Sequence, residues 1–213
     1  MEKLISGFHE FRSQISPEQR KLFAKLAHKQ EPRILFITCS DSRVEPHVLT
    51  HTGPGDLFML RNAGNLVPPY GAVHGGEAAS IEYAMHVLKV KHVIVCGHTN
   101  CGAREALIHP DHAKDLAATR AWLDQAEATR RIVWERDADH LDDEALVASA
   151  KTENILVQLQ NLRTHPSVAV RLYKEEVQLH GWIYNIESGD ICFYNPETKS
   201  FGPLLEFPQG TRA

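Results

Sequence analysis

Three short apolar runs mark the first hundred residues: RILFIT (33–38), DLFMLR (56–61) and KHVIVCG (91–97). Each is partly β-branched and too short for a helix, as expected of a strand buried on both faces. Between the second and third, GGEAASIEYAMHVLK (75–89) follows helical spacing and sets Ala79, Tyr83, His86 and Val87 along one stripe. Strands alternating with helices join by right-handed crossovers into a parallel sheet. From about 113 to 175 the pattern is mostly helical; its longest piece, EALVASAKTENILVQLQNLRTH, reads as amphipathic and stops before Pro166. The stretch VQLHGWIYNIESGDICFYN (177–195) holds two strand-like runs joined by ESGD, a hairpin signal.

Ahead of the first strand, LISGFHEFRS and RKLFAKLAHK suggest an arm of two short helices over residues 1–30. Ser16, Pro17 and Gln19 supply the N-cap, first helical position and capping box of the second. Leu4, Ile5, Phe8 and Phe11 on the arm need cover, for which a partner subunit is the natural source. No repeat, low-complexity tract or linker interrupts the chain. The expectation is one domain over 1–213, an α/β fold with a central, mostly parallel β-sheet flanked by helices, an N-terminal helical arm and a C-terminal β-hairpin.

In such sheets ligands sit beyond the carboxyl ends of the strands. Two chemistry-bearing phrases lie there, ITCSDSRVEPH (37–47) and VIVCGHTNCGA (93–103). Cys39, His98 and Cys101 offer two thiolates and an imidazole, a set that suits tetrahedral zinc with one position left open. Each phrase alone is a weak signal, since a cysteine in an apolar run is more often a small buried hydrophobe. Cys96 and Cys192 read that way. Asp41 and Arg43 alone read rather as a salt bridge within a turn, and the adjacent Cys39 tips them to a functional reading. The two phrases together, at two strand ends of one sheet, are far more specific.

Composition narrows the setting. A net charge of −4 argues against a general nucleic-acid binder. No apolar run is long enough to span a bilayer, and MEKLISGFHEFRS lacks the apolar block of a secretory signal, so the expected compartment is cytoplasmic. Four cysteines are too few and too dispersed to staple the chain. The absence of C-x-x-C counts against a redox dithiol.

With CSDSR at 39–43 and HTNC at 98–101, the sequence resembles the β-class carbonic anhydrases, in their plant-like and cyanate-operon-associated branch. The likeness runs from about residue 30 to 205 through PGDLFMLRNAGNLVPPY, ASIEYAMHVLKVKHVIVCGH, LRTHPSV and LHGWIYNIESG. It implies one zinc ion per chain on Cys39, His98 and Cys101, with Asp41 and Arg43 as a catalytic dyad. The implied reaction is reversible hydration of carbon dioxide to bicarbonate and a proton by a zinc-bound hydroxide that the dyad orients. Gln30, Phe58, Tyr83 and Gly102 correspond to substrate-pocket positions, with Phe58 and Tyr83 supplied by the neighbouring subunit of a homodimer or dimer-based oligomer. Gly102 reads either as room beside a ligand or as a close helix contact. The family's inhibitory bicarbonate site uses a tryptophan where this chain has Phe36, although Arg61 and Tyr184 match its other groups; a site open at neutral pH is therefore expected. His47, His51 and His74 offer proton relays without distinguishing one. Alternatives are hydrolysis of carbon disulfide or carbonyl sulfide, or a non-catalytic zinc protein that senses bicarbonate.

Overall fold

The computed structural model describes residues 1–72 and 75–204; His74 lies outside them. The chain divides into two compact units, Met1–Glu31 and Pro32–Ala213. In the first, helices α1 (Glu2–Gln14) and α2 (Pro17–Leu26) form as the arm pattern predicts. The capping box is complete: Gln19 N donates to Ser16 Oγ at 3.2 Å, and Ser16 N donates to Gln19 Oε1 at 2.8 Å. Neither helix buries a residue.

In the second unit the three apolar runs become β1 (Ile34–Cys39), β2 (Leu57–Asn62) and β3 (His92–His98), each about one residue later than the pattern suggests. With β4 (Gln178–Tyr184), β5 (Ile191–Asn195) and β6 (Ser200–Pro203) they form one sheet in the order β2-β1-β3-β4-β5-β6. The first four strands are parallel and the last two antiparallel. The ESGD turn makes the predicted hairpin, Gly189 taking φ +80°; β6 adds a strand that the sequence pattern did not single out. Cys96 is fully buried, whereas Cys192 is only half-buried against the core.

The short helix α3 (Pro46–Thr50) follows β1, and α4 (Gly76–Tyr83) leads toward β3. Helix α5 (Gly102–Ile108) follows β3 directly. Then come α6 (Ala117–Leu123), α7 (Glu127–Asp137), α8 (Asp143–Thr164) and α9 (Pro166–Tyr173). The stripe Ala79, Tyr83, His86 and Val87 is exposed throughout, and the residues that pack inward are Ile81, Ala84 and Met85. Helix α8 is not simply amphipathic: it buries Glu153, Asn154 and Gln158 beside Leu146, Ile155 and Leu162. Among the described residues no helix is long and apolar enough to cross a membrane.

The main core lies on one sheet face, where Leu35, Ile37, Val93, Val95 and Ile183 meet Ile81, Met85, Ile155, Leu162 and Val168. The other face gathers Phe36, Ile94, Cys96 and Tyr184 with Val44. Since β2 and β3 flank β1 on opposite sides, the direction of winding reverses between β1 and β3. Loops leaving neighbouring strands in opposite directions open a crevice at such a switch point. Cys39 ends β1 and His98 ends β3.

Candidate metal centre and carboxylate–arginine pair

Cys39 Sγ, His98 and Cys101 Sγ converge so that their ligand atoms all lie within 4.8 Å of one another, and all three residues are buried. Cys101 is brought in by the turn after β3, where its carbonyl accepts from Arg104 N and Glu105 N and starts α5. His98 Nδ1 lies 2.8 Å from the carbonyl of Thr99. A carbonyl only accepts, so Nδ1 carries the proton and Nε2 presents a lone pair. That Nε2 is buried without a hydrogen-bond partner among the described residues. A ring fixed by one nitrogen with the other left bare is the arrangement of a metal-ligating histidine.

The two thiols stand 4.0 Å apart. Cys39 is shifted well below the ordinary thiol range, first by the hydrogen bond from Cys101 and further by His98 and the backbone N–H groups of Gly64 and Asp41, with burial opposing. Cys101 moves up, because it holds the shared proton toward Cys39 and is buried. The acidification falls on Cys39 rather than on Cys101 at the helix start. One thiolate and one thiol thus share a proton that a divalent cation would displace.

Asp41 and Arg43 face this cluster. Arg43 grips both carboxylate oxygens, Nε to Oδ1 at 2.9 Å and Nη2 to Oδ2 at 2.7 Å, while its backbone N donates to Oδ1 at 2.9 Å. Nη2 also donates to the carbonyl of Asn100 at 2.9 Å, tying the dyad to the loop that carries Cys101. Arg43 holds the Asp41 carboxyl far below the usual carboxylate range. Its Oδ2 lies 3.8 Å from His98 Nε2. An ionised carboxylate is thereby fixed next to the bare ligand nitrogen.

Residues that sequence reasoning did not assign to this site hold it in place. Arg61 donates to the carbonyls of Cys39 (3.1 Å), Asp41 (2.8 Å) and Val44 (2.8 Å), so it braces the whole CSDSR turn. Gly64 N points at Cys39 Sγ from 3.4 Å. Gly64 has φ +80°, and a Cβ there would stand 3.3 Å from Ala103 Cβ, so the N–H reaches the sulfur only from a residue without a side chain. The loop bearing Gly64 is pinned from α8: Asn154 Nδ2 donates to Gly64 O, Gln158 Oε1 accepts from Val67 N, and Asn161 Nδ2 donates to Val67 O. Trp122 Nε1 donates to Ala63 O. No local pattern marks these contacts, which span up to 94 residues.

The predicted pocket residues fare differently. Gly102 is the first residue of α5, and a Cβ added there would meet nothing within 4 Å, so no close helix contact explains it. Phe58 and Tyr83 pack together with ring centroids 5.8 Å apart. Phe58 pairs with Leu35, four residues short of Cys39, or roughly 13 Å back along the strand at about 3.3 Å per residue. These rings are therefore not brought to the cluster of their own chain. Gln30 lies in the first unit. His47 bonds to Thr52 Oγ1 through Nδ1 at 3.1 Å.

A family model described as carbonic anhydrase matches residues 34–191. A carbonic anhydrase from Synechocystis sp. strain PCC 6803 is 47% identical over 92% of this chain and 71% of its own length. The solved structure of the β-carbonic anhydrase CcaA superposes with TM-score 0.91 at 46% identity, covering 95% of this chain and 98% of that one. Crystal structures of two tetrameric β-carbonic anhydrases from Sordaria macrospora include a match with TM-score 0.80 at 28% identity, over 90% of this chain and 95% of that one.

Proposed function

The chain belongs to the β-class carbonic anhydrases, and from that premise we propose that Cys39, His98 and Cys101 bind one zinc ion and, with Asp41 and Arg43, hydrate carbon dioxide reversibly to bicarbonate and a proton. The observation that carries the reading is the buried Cys–His–Cys cluster with a bare Nε2 beside an arginine-held carboxylate. The donor set fits: two sulfurs and one imidazole nitrogen are a zinc combination, and no fourth cysteine, histidine or carboxylate joins the cluster among the described residues. A zinc ion there lets water act as a nucleophile near neutral pH.

Arg43 keeps Asp41 ionised, and an ionised carboxylate only accepts hydrogen bonds. Asp41 Oδ2, the oxygen nearest His98 Nε2, accepts the hydrogen bond of the attacking oxygen and turns its lone pair toward carbon dioxide. The bidentate grip of Arg43 also keeps Asp41 from swinging into the ligand cluster, which supports a site open at neutral pH. Arg61 gives Nε and Nη2 to three backbone carbonyls and sets Nη1 toward Glu45 Oε2 at 3.8 Å, and Phe36 packs edge-on against Trp182 at 5.9 Å, which supports the same reading against an inhibitory anion between Phe36, Arg61 and Tyr184.

The open space at Gly102 suits a substrate pocket beside Cys101. Gln30, Phe58 and Tyr83 complete it in this proposal, the last two from a partner subunit, and the arm of residues 1–30 packs on that partner. The assembly is dimer-based and the setting cytoplasmic. Stopped-flow hydration of carbon dioxide by zinc-loaded protein at pH 7 and pH 9, beside Asp41→Ala, tests the reading. Activity at both pH values with a loss of roughly 100-fold or more in the variant is expected. No carbon dioxide turnover with one zinc per chain overturns it, and turnover of carbon disulfide instead would move the substrate.

A further inference from the structure

A cavity of about 580 Å³ opens between α5 and the first turns of α8, and its two ends differ in charge. Cys101, Arg104 and Lys151 line one end. There Arg104 Nη1 donates to the carbonyl of His98 at 2.9 Å, and burial together with the Arg104 charge pushes the Lys151 ammonium down. At the other end α5 and the turn after it bring Glu105, His109 and His112 to the first turn of α8, which carries Asp143 and Glu144. Asp143 and Lys151 are eight residues apart on one helix, roughly 12 Å at 1.5 Å per residue, so the acidic end is well separated from the lysine.

At the acidic end, His109 Nε2 is buried without a hydrogen-bond partner among the described residues, yet lies 3.4 Å from Asp143 Oδ1. His98 Nε2 and Asp41 Oδ2 show the same two features at 3.8 Å in the ligand cluster. His112 Nδ1 lies 3.3 Å from Glu105 Oε1, and the His109 and His112 ring centroids are 5.5 Å apart. Two donors bound tetrahedrally at 2.0–2.2 Å stand about 3.3–3.5 Å apart, and two imidazoles on one such ion have centroids roughly 5 Å apart. Helix dipoles alone favour acids in the first turn of α8 and an imidazole after α5. They do not account for a buried nitrogen left bare beside an oxygen that could accept from it. Carboxylates alone suit magnesium or calcium, whereas imidazoles move the preference to zinc and its neighbours.

We infer that His109, His112, Glu105 and Asp143 form a second cation site, for a divalent transition ion of the zinc class, at this end of the cavity. The donors are not drawn to one point in advance: among the described residues only Cys39, His98 and Cys101 hold three ligand atoms within 4.8 Å of one another. Three of the four side chains have room to close, Asp143 being 81% exposed and His112 and Glu105 54% each, while His109 at 21% is the fixed member. Glu144, exposed beside Asp143, adds negative charge at the same end. An ion held there ties the end of α5 to the start of α8. None of its ligands belongs to the Cys39–His98–Cys101 cluster or to the Asp41–Arg43 pair.

Equilibrium dialysis of the full chain, already holding one zinc, against cobalt(II) tests this by metal analysis and absorption spectra. A second ion per chain is expected, with the weak visible bands of nitrogen and oxygen donors and without the near-ultraviolet charge transfer of cobalt on thiolate. Asp143→Asn and His109→Gln should each weaken that second ion at least tenfold, since even groups that only support a ligand contribute as much. The zinc content of both variants should stay at the parent's value. Asp143→Asn decides the matter if His109→Gln does not fold, because Asp143 is exposed. Absence of a second ion up to millimolar cobalt, or equal binding by parent and variants, overturns the inference and leaves a surface histidine–carboxylate pair. A thiolate charge-transfer band overturns it as well, because cobalt would then have exchanged into the cysteine cluster. The readout is binding beside the first zinc, so a failure here is distinct from a failure of carbon dioxide hydration.

Discussion

At the residue scale the site is a problem in placing charge. Two thiols 4.0 Å apart cannot both ionise cheaply in a buried setting, and the lowered Cys39 beside the raised Cys101 is the expected compromise. Near neutral pH the metal-free cluster therefore holds one proton on sulfur, and zinc binding should release about one proton rather than two. Calorimetric zinc titration at pH 7 in two buffers of different ionisation enthalpy counts it; a release of two would show that both groups are thiols before the metal arrives. The Asp41–Arg43 pair carries a second consequence. The folded carboxyl is depressed, so its contribution to stability is present above the unfolded value of about 3.9 and is lost as pH falls through the folded value. Arg43→Met returns Asp41 toward the ordinary range, so the loss of stability between pH 6 and pH 3 should shrink. Arg43 is half exposed, so solvent screens the pair and the difference is small; denaturant unfolding at the two pH values measures it. Cys39, Asp41, Arg43, His98 and Cys101 were legible in the sequence because chemistry-bearing letters there follow directly on strand-like runs. Arg104 was not, because an arginine in an early helical turn reads locally as surface charge, and Arg61 was matched only to an inhibitory anion site, not to the brace under the CSDSR turn. Only the fold reveals that their donors point at backbone carbonyls of the site.

At the scale of elements, close approach of α8 to the sheet decides how firmly the ligands are held. Ile155 lies over two glycines of adjacent strands: a Cβ on Gly181 would stand 2.6 Å from Ile155 Cγ2, and one on Gly97 would stand 3.1 Å from Ile155 Cδ1. Gly181→Ala should destabilise the protein by roughly 1–3 kcal/mol and Gly97→Ala by less. Ile155→Val removes Cδ1 and keeps both Cγ atoms, so it should relieve Gly97→Ala and leave Gly181→Ala unrelieved. Urea unfolding of the three single and two double variants separates the outcomes, and equal rescue of both would mean that α8 shifts as a body. The same helix pins the Gly64 loop through Gln158, whose loss in Gln158→Leu would leave Val67 N and Asn154 short of partners. That should cost roughly 1–3 kcal/mol by the same unfolding measurement. The strands and the hairpin were readable because buried parallel strands need continuous apolar runs and tight turns need glycine. The packing role of Gly97 and Gly181 was not, since a glycine in a strand reads locally as a bulge or a weak point. Only the register between β3 and β4 brings the two under one side chain. Buried polar residues on α8 likewise resemble a solvated face until their partners, 90 or so residues away, are known.

At the scale of the molecule, one chain leaves its proposed pocket unfinished. Phe58 and Tyr83 pack on each other well back from the strand ends, and Tyr83 is 42% exposed within a stripe that includes exposed Val87. An aromatic pair far from its own metal cluster yet open to the surface is suited to serve a second copy. In a two-fold dimer each surface patch meets the partner's equivalent, so such a contribution is reciprocal. Subunit mixing tests this without disturbing the fold. Tyr83→Ala subunits retain their own Asp41, and Asp41→Ala subunits retain Tyr83. If Tyr83 acts across the interface, a mixed dimer contains one site with both groups and one with neither. Random reassortment of equal amounts makes half of the dimers mixed, so about a quarter of the sites should regain full activity. That recovery should appear only after the subunits have exchanged, and it should vanish when both substitutions are placed on the same chain. If Tyr83 serves its own chain instead, every site in the mixture lacks one group or the other, and the rate stays at the mean of the two parents.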